Sequence, residues 1–359
     1  HYSSYYYVIN TESSYLYNAE KNANLQSLFA KMDNLYFNGD EGLTIMQIGG
    51  SHVQGGVWSW TLRRHFESLC HDNDGDYGLL FPFSLAKTNH PYYYISKSSG
   101  VWMTDKVVGN TGEPVGLSGM VAYTSDSVAE LIFQFARASL REKHKFTKAT
   151  LIHGADDTCY NIYTNADSLL LSKNVFQADG YTEFCLSQPM DTLSFRFVRK
   201  DTIPSTMHVY GVIVEDTVPK VKYINIGVNG AATESYIKAE KFFEQLKLVC
   251  PDLAILSIGV NDAAAANFTP EKFIENYKVI VNAILDNNPN CAIIFTTNND
   301  FCNYRKVPNH NQPDVCRSMR ILADHYNASV WDLYEVMGGY KSINKWCSSG
   351  LAQKDKIHF

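Results

Sequence analysis

The stretch LTIMQIGGSHVQGGVW, Leu43 to Trp58, sets four apolar side chains (Leu43, Ile45, Met46 and Ile48) ahead of two glycines, a serine, a histidine and two more glycines. A short apolar run bounded by glycines predicts a strand buried on both faces. VWSWTLRRHFESLC (57–70), directly after the second glycine pair, predicts a helix. Such a β-turn-α unit leaves Ser51 at the strand's carboxyl end, as a nucleophile or as a turn serine capping the helix. Two phosphate and hydrolase motifs are excluded by inspection. Gly50 and Gly55 have P-loop spacing, but Gly56 and Val57 stand where the Lys and Ser/Thr are needed. The G-x-S-x-G elbow requires glycine at 53, and the residue is Val53.

Upstream, after a Tyr-rich polar segment, NAEKNANLQSLFAKMDNLYFNG repeats Leu25, Leu28, Phe29, Met32 and Leu35/Tyr36 at helical spacing, and Gly39 and Gly42 stop that helix. Beyond about residue 84 the texture changes to short Tyr-, Val-, Phe- and Thr-rich segments, among them YYYIS, VAELIFQFAR, ATLIHG, YNIYTN, TEFCLS, LSFRFVR and MHVYGVIVED. Turn signals such as KSSG, GNTGEP, HGADD and QADG separate them, and strands at this spacing predict a β-sandwich. From VKYINIGVNGAATESYIKAEKFFEQLKLVCPDLAILSIGVND (221–262) onward, strands and helices alternate again, through a helix near 312–326 and the strand SVWDLY. The expectation is one α/β domain with a parallel sheet, built from 1–84 plus 217–359 and interrupted by an all-β insertion at 85–216; insertions of that kind succeed at exposed loops with neighbouring ends.

The 359 residues, 45% of them hydrophobic, suffice for a large core. The net charge of −6 and the absence of a Lys/Arg cluster argue against a nucleic-acid partner and favour a neutral or sugar-like substrate. No apolar run reaches the roughly 20 residues that span a bilayer, so no transmembrane segment is expected. The first residue is His1 and not Met, as in a processed chain. The eight cysteines include no C-x-x-C pair, which argues against a cysteine zinc site. An even count permits disulfides, but contexts such as KLVCPDLAIL predict buried free thiols.

Ligands of open parallel sheets bind at the carboxyl ends of the strands. Three features fall there: Ser51 after IMQIGG, Gly230 closing NIGVNG, and Asn261 in LSIGVND. A fourth, GLAQKDKIHF, holds Asp355 and His358 three residues apart, a spacing that lets a carboxylate orient an imidazole. Ester hydrolysis by a serine needs a nucleophile, a base, a group that fixes the base, and preorganised oxyanion donors. Each feature also has a plainer reading: Gly227 and Gly230 as loop glycines with positive φ, Asn261-Asp262 as an N-cap pair, His52 as a residue lining the cleft, and His153 with Asp156 and Asp157 as a turn rather than a metal site. Tyr92, Tyr93, Tyr94 and Trp102 fill a sandwich core or stack on sugar rings.

IGGSHVQGG, NIGVNGAAT, GVND and DKIH together resemble the four sequence blocks of the SGNH, or GDSL-like, hydrolases. The resemblance implies a three-layer α/β fold in which Ser51 is the nucleophile, Asp355 and His358 complete a triad, and Ser51, Gly230 and Asn261 line the oxyanion hole. No metal or organic cofactor is implied. The interrupted architecture further resembles bacterial O-acetylesterases of peptidoglycan and other polysaccharides, whose jelly-roll-like insertion looks like a carbohydrate-binding module. That implies an acylated polysaccharide or peptidoglycan as substrate and export to the periplasm or cell surface. The family usually has Asp immediately before the nucleophile, where this chain has Gly50. A lipase or thioesterase of the same fold, or a weakly active carbohydrate-binding protein, are the alternatives.

Overall fold

The computed structural model describes residues 7–70, 74–91, 93–109, 112–135 and 145–359. Tyr92, the start of the Tyr-rich segment (1–6), positions 110–111 of the GNTGEP turn and the end of VAELIFQFAR (136–137) lie outside the described residues. The chain begins with β1 (Leu16–Tyr17), α1 (Ala23–Phe37), β2 (Leu43–Gly49), the one-turn helix α2 (Ser51–Gln54) and α3 (Val57–Glu67). An antiparallel stretch follows: β3 (Gly78–Leu80), β4 (Ile95–Ser99), β5 (Met103–Lys106), β6 (Met120–Thr124), β7 (Val128–Gln134), β8 (Phe146–His153), β9 (Tyr160–Thr164), β10 (Leu170–Phe176), β11 (Tyr181–Met190), β12 (Thr192–Arg199) and β13 (Met207–Glu215). Alternation then returns with β14 (Val221–Gly227), α4 (Thr233–Ile237), α5 (Phe242–Leu246), β15 (Leu253–Ser257), α6 (Val260–Ala264), α7 (Pro270–Asn287) and β16 (Ala292–Thr296). The chain closes with β17 (Cys302–Asn303), β18 (Val307–Pro308), α8 (Gln312–Tyr326), β19 (Ser329–Trp331), α9 (Leu333–Met337) and α10 (Ser342–Ser348).

The architecture is mixed α/β. One six-stranded sheet has the order β1-β19-β16-β15-β2-β14, parallel throughout except for β1. Read by chain position, its five parallel strands follow the doubly wound order 2-1-3-4-5, whose switch point lies between β2 and β15. β2 lies between β14 and β15 and is almost wholly buried, as its apolar run predicts. Its one long polar residue, Gln47, is satisfied by accepting from the Tyr223 hydroxyl (2.8 Å) and donating to Ser257 Oγ (3.2 Å).

Two larger antiparallel sheets have the orders β10-β11-β8-β13-β6-β5, with β3 pairing β13, and β4-β7-β12-β9, and β17 pairs with β18 alone. Phe184 of the first and Phe195 of the second lie 5.4 Å apart, ring to ring. A single apolar cluster runs from Ile226, Leu256 and Phe295 of the parallel sheet into Leu131, Phe184 and Phe197 of the antiparallel ones. β5, β6 and β10 were not legible as strands, and KSSG is mostly strand: β4 runs to Ser99 and the turn is made at Gly100, with φ +83°.

Two helices differ from their sequence patterns. On α1, Leu25, Leu28 and Leu35 are buried, but Phe29 and Tyr36 are exposed. On α3 the inward stripe is Ser59, Arg63 and Glu67, at i, i+4 and i+8. Arg63 is 2% exposed and donates to the carbonyls of Asp76 (3.0 Å), Tyr77 (2.8 Å) and Tyr223 (2.8 Å), with its guanidinium 4.9 Å from the Tyr93 ring centroid. It therefore pins α3 to β14 and to the entrance of the antiparallel region. No disulfide joins cysteines among the described residues; four cysteines are buried and Cys250 is exposed. No helix among the described residues is long and apolar enough to cross a membrane.

Candidate functional site

The register of the parallel sheet builds the site. Gly49 at the end of β2 pairs with Gly227 at the end of β14 and with Ser257 at the end of β15. Three strands thus stop on one row, and the segments 50–51, 228–230 and 259–261 emerge side by side. α2 sits directly on this row, and only glycine permits it. A Cβ on Gly49 would lie 2.3 Å from Val53 Cγ2, and one on Gly227 would lie 2.2 Å from the Gln54 nitrogen. Gly227 is therefore a close-approach glycine, not the positive-φ loop glycine its sequence context suggests. Gly230 is in the left-handed region, at φ +83°. The Tyr236 hydroxyl donates to the Gly49 carbonyl (2.8 Å) and braces the same turn from below.

Ser51 is the first residue of α2, so its N–H belongs to the turn that has no intrahelical acceptor. Ser51 Oγ lies 2.8 Å from His358 Nε2, and His358 Nδ1 lies 2.6 Å from Asp355 Oδ2. The other Asp355 oxygen accepts from the backbone N–H of Ile357 (2.9 Å) and His358 (3.1 Å). Burial pushes the Asp355 carboxyl up, but the His358 ring and these two N–H groups outweigh it and hold the carboxyl below its ordinary value. Asp355 and His358 lie beyond α10 on a segment held from outside. Asn299 Nδ2 donates to the Ile357 carbonyl (2.8 Å) and the Cys302 N–H to that of Lys356 (2.9 Å), while within the segment the Gln353 N–H donates to that of His358 (2.7 Å). Asn299, in TTNND at the end of β16, was missed in the sequence. The strand-end rule that selects Ser51, Gly230 and Asn261 also selects this position.

Asn261 opens α6 behind Gly259, whose φ of +148° brings the backbone against Asn298. Its Nδ2 donates to the Ala231 carbonyl (2.9 Å) and lies 3.5 Å from where a Gly50 Cβ would be. The amide thus spans the Gly230-Ala231 turn and the residue before Ser51. Asp262 accepts from the Thr233 N–H (3.1 Å) and hydroxyl (2.5 Å), and Asn276 Nδ2 donates to the same hydroxyl (2.9 Å), so α4, α6 and α7 are fixed to one another. The pair Asn261-Asp262 divides as an amide facing the strand-end row and a carboxylate facing α4.

His52 does not join the Ser51 relay. Its ring stacks on Phe359 (4.6 Å, 27°) and lies 4.9 Å from that of His358; its Nε2 is buried without a partner among the described residues. Burial, reinforced by His358, lowers it to about 3, so the imidazole is neutral. In the antiparallel region, Asp157 accepts from the N–H groups of Gly154 and His208, and both His153 ring nitrogens are satisfied by Gly154 O and Thr182 Oγ1. HGADD is a turn. Tyr93 and Tyr94 are buried, the latter bonded to the Phe81 backbone, so neither offers a face to a sugar; Trp102 is half-buried against Phe197. Among the described residues, no three His, Cys, Asp or Glu side chains converge as a metal-binding group.

Residues 205–359 match the model of the GDSL-like Lipase/Acylhydrolase family, a span that holds Gly230, Asn261, Asp355 and His358 but not Ser51. No curated protein sequence matches the chain. Among solved structures, the chain is similar to a peptidoglycan O-acetylesterase with 20% identity and a TM-score of 0.78, over 96% of this chain and 93% of that one. It is also similar over 39% of its length to a lipase/acylhydrolase from Enterococcus faecalis (24% identity, TM-score 0.30, 68% of that chain). The acetyl xylan esterase AlAXEase matches the same share (18% identity, TM-score 0.29, 73% of that chain). The first of these shares the fold across nearly the whole chain, and residues 205–359 carry the match to the GDSL-like Lipase/Acylhydrolase family model.

Proposed function

We propose that this chain is a serine esterase that removes acetyl groups from a carbohydrate, with Ser51 as nucleophile, His358 as general base and acid, and Asp355 as the group that orients it. The observation that carries this reading is the continuous relay from Ser51 Oγ through the His358 ring to Asp355, at 2.8 and 2.6 Å. In the first half-reaction His358 Nε2 takes the Ser51 proton as Oγ attacks the ester carbonyl. Asp355 holds the Nδ1–H tautomer and stabilises the imidazolium. The Ser51 N–H, the Gly230 N–H and the Asn261 amide receive the oxyanion, each such donor being worth about 10²–10³ in rate. His358 then passes the proton to the leaving alkoxide, and a water activated by the same nitrogen releases the acyl group. Asn261 spends one amide hydrogen on Ala231 and keeps the second for this role.

The same reading divides the chain into an SGNH-type domain (1–84 plus 217–359) and a β-sandwich formed by the two antiparallel sheets of the 85–216 insertion. The likeness in fold to a peptidoglycan O-acetylesterase supports a polysaccharide ester, and hence an exported enzyme, over a lipid substrate. Gly50 does not argue against activity. The brace of the turn comes from the α2 contact with Gly49 and Gly227 and from Tyr236, not from a side chain at 50. The test is hydrolysis of chromogenic esters with acyl chains of two to eight carbons by the wild type and by Ser51→Ala. Turnover falling at least 10³-fold in Ser51→Ala, and greatest on the acetyl ester, is expected. Turnover indifferent to the substitution would end the esterase reading, and preference for long chains would replace it with a lipase.

A further inference from the structure

We infer that the row of rings leading away from the triad, His52, Phe359, Trp58 and Trp331, is a subsite that stacks a sugar ring of the leaving alcohol. The inference rests on the esterase reading above. Ring centroids follow one another from His358 to His52 at 4.9 Å and from His52 to Phe359 at 4.6 Å. The row continues from Phe359 to Trp58 at 6.1 Å and from Trp58 to Trp331 at 6.3 Å. Its outer members Phe359, Trp58 and Trp331 are half-buried, fixed by their neighbours yet still partly open to solvent. Trp58 lies in the first turn of α3 beside Val57, which is 68% exposed. The contrast with Trp60 is informative. Two residues further on, it turns the other way and stacks at 5.2 Å and 17° on the buried Tyr93, as a core aromatic does.

The direction of the row follows from the chemistry. The imidazole that takes the Ser51 proton must return it to the departing alkoxide, so the alcohol half of the ester lies against His358. The aromatic ring next to His358 is that of His52, at 4.9 Å, where this row begins. A pyranose presents apolar C–H faces and a polar rim, which matches flat aromatic surfaces that remain partly wet.

The test compares kcat/KM for an O-acetylated β-1,4-linked N-acetylglucosamine oligosaccharide with that for ethyl acetate, whose alcohol has no ring face. The wild type, Trp58→Leu, Trp58→Tyr and Ser51→Ala are measured. We expect the oligosaccharide-to-ethyl-acetate ratio to fall about tenfold in Trp58→Leu and to stay within about threefold of wild type in Trp58→Tyr, which keeps a flat face. An unchanged ratio in Trp58→Leu, or equal losses in the Leu and Tyr variants, overturns the subsite. Ethyl acetate turnover equal in wild type and Ser51→Ala would instead overturn the esterase reading and the subsite with it, a result distinguishable because it does not involve Trp58.

Discussion

Gly227→Ala is the sharpest test of how the site is built, because it alters no group that takes part in the chemistry. The added Cβ would lie 2.2 Å from the Gln54 nitrogen and 2.7 Å from both Gln54 Cα and the Val53 carbonyl carbon. All three are backbone atoms, so no rotamer change relieves the clash. Relief requires α2 to withdraw by roughly 1 Å, and a displacement of that size at a reacting group costs about 10²-fold in rate. Ser51 moves with it, since α2 is a single turn closed by the bonds from the Gln54 N–H to Gly50 O (3.0 Å) and from the Gly55 N–H to Ser51 O (2.9 Å). The 2.8 Å contact to His358 is then stretched beyond hydrogen-bond range. We expect kcat on a chromogenic acetyl ester to fall about 10²-fold, with an overpacking cost of about 1–3 kcal/mol in thermal unfolding. Gly50→Ala is the control for stability. Its φ of −95° is not the left-handed conformation that favours glycine and its Cβ would meet nothing nearer than 3.5 Å, so unfolding should change by less than about 1 kcal/mol. A Gly227→Ala enzyme that loses stability but keeps kcat within about threefold would refute the claim that this contact sets the position of Ser51.

Three further outcomes are expected. Asp355→Asn should lower kcat on the order of 10⁴-fold, because an amide facing Nδ1 no longer selects the Nδ1–H tautomer; a loss under tenfold would show that the Asp355 bond does not govern the base. In the wild type the Asp355 carboxyl is held below its ordinary value, so the stability it contributes is full above that value and lost only as pH falls through the lower, folded one. Arg63→Met should cost about 3 kcal/mol or more in urea unfolding, since three backbone carbonyls lose their donor; a near-neutral result would mean that water replaces it. Burial, only partly offset by the Asp216 N–H, raises Asp76 to about 8. The native state then keeps a proton that the unfolded chain releases, so stability should fall between about pH 4 and 8 by up to ~1.4 kcal/mol per unit. Asp76→Asn, which keeps the acceptor, should flatten that slope, and equal slopes in both proteins would rule the titration out.

What the sequence disclosed, and what it concealed, follows from how locally each feature is encoded. β2, α8 and the alternation after residue 220 are written in apolar periodicity, and three of the four blocks sit at strand ends because a parallel sheet gathers them there, while the fourth follows α10. The inward turn of Arg63 is hidden for the opposite reason: its partners are backbone carbonyls of Asp76, Tyr77 and Tyr223, which leave no trace in side-chain pattern. Gly227 looks like a loop glycine until the register places α2 against it. The tie from Asn299 to Ile357 joins residues 58 positions apart and is a property of the fold alone. The aromatics Tyr93 and Tyr94 are ambiguous in composition, and burial decides them.

The pairing of β3 with β13 bears on how the molecule can be cut. Leu80, Leu79 and Gly78 cover Val212, Ile213 and Val214 on one side, while β8 covers them on the other. A fragment begun at residue 85 would carry the whole insertion by chain position yet leave that side of β13 bare, three apolar residues with open backbone donors and acceptors, a template for self-association. Extending the fragment upstream to include Gly78–Leu80 restores the pairing, so its solubility depends on a strand that sequence position assigns to the other domain.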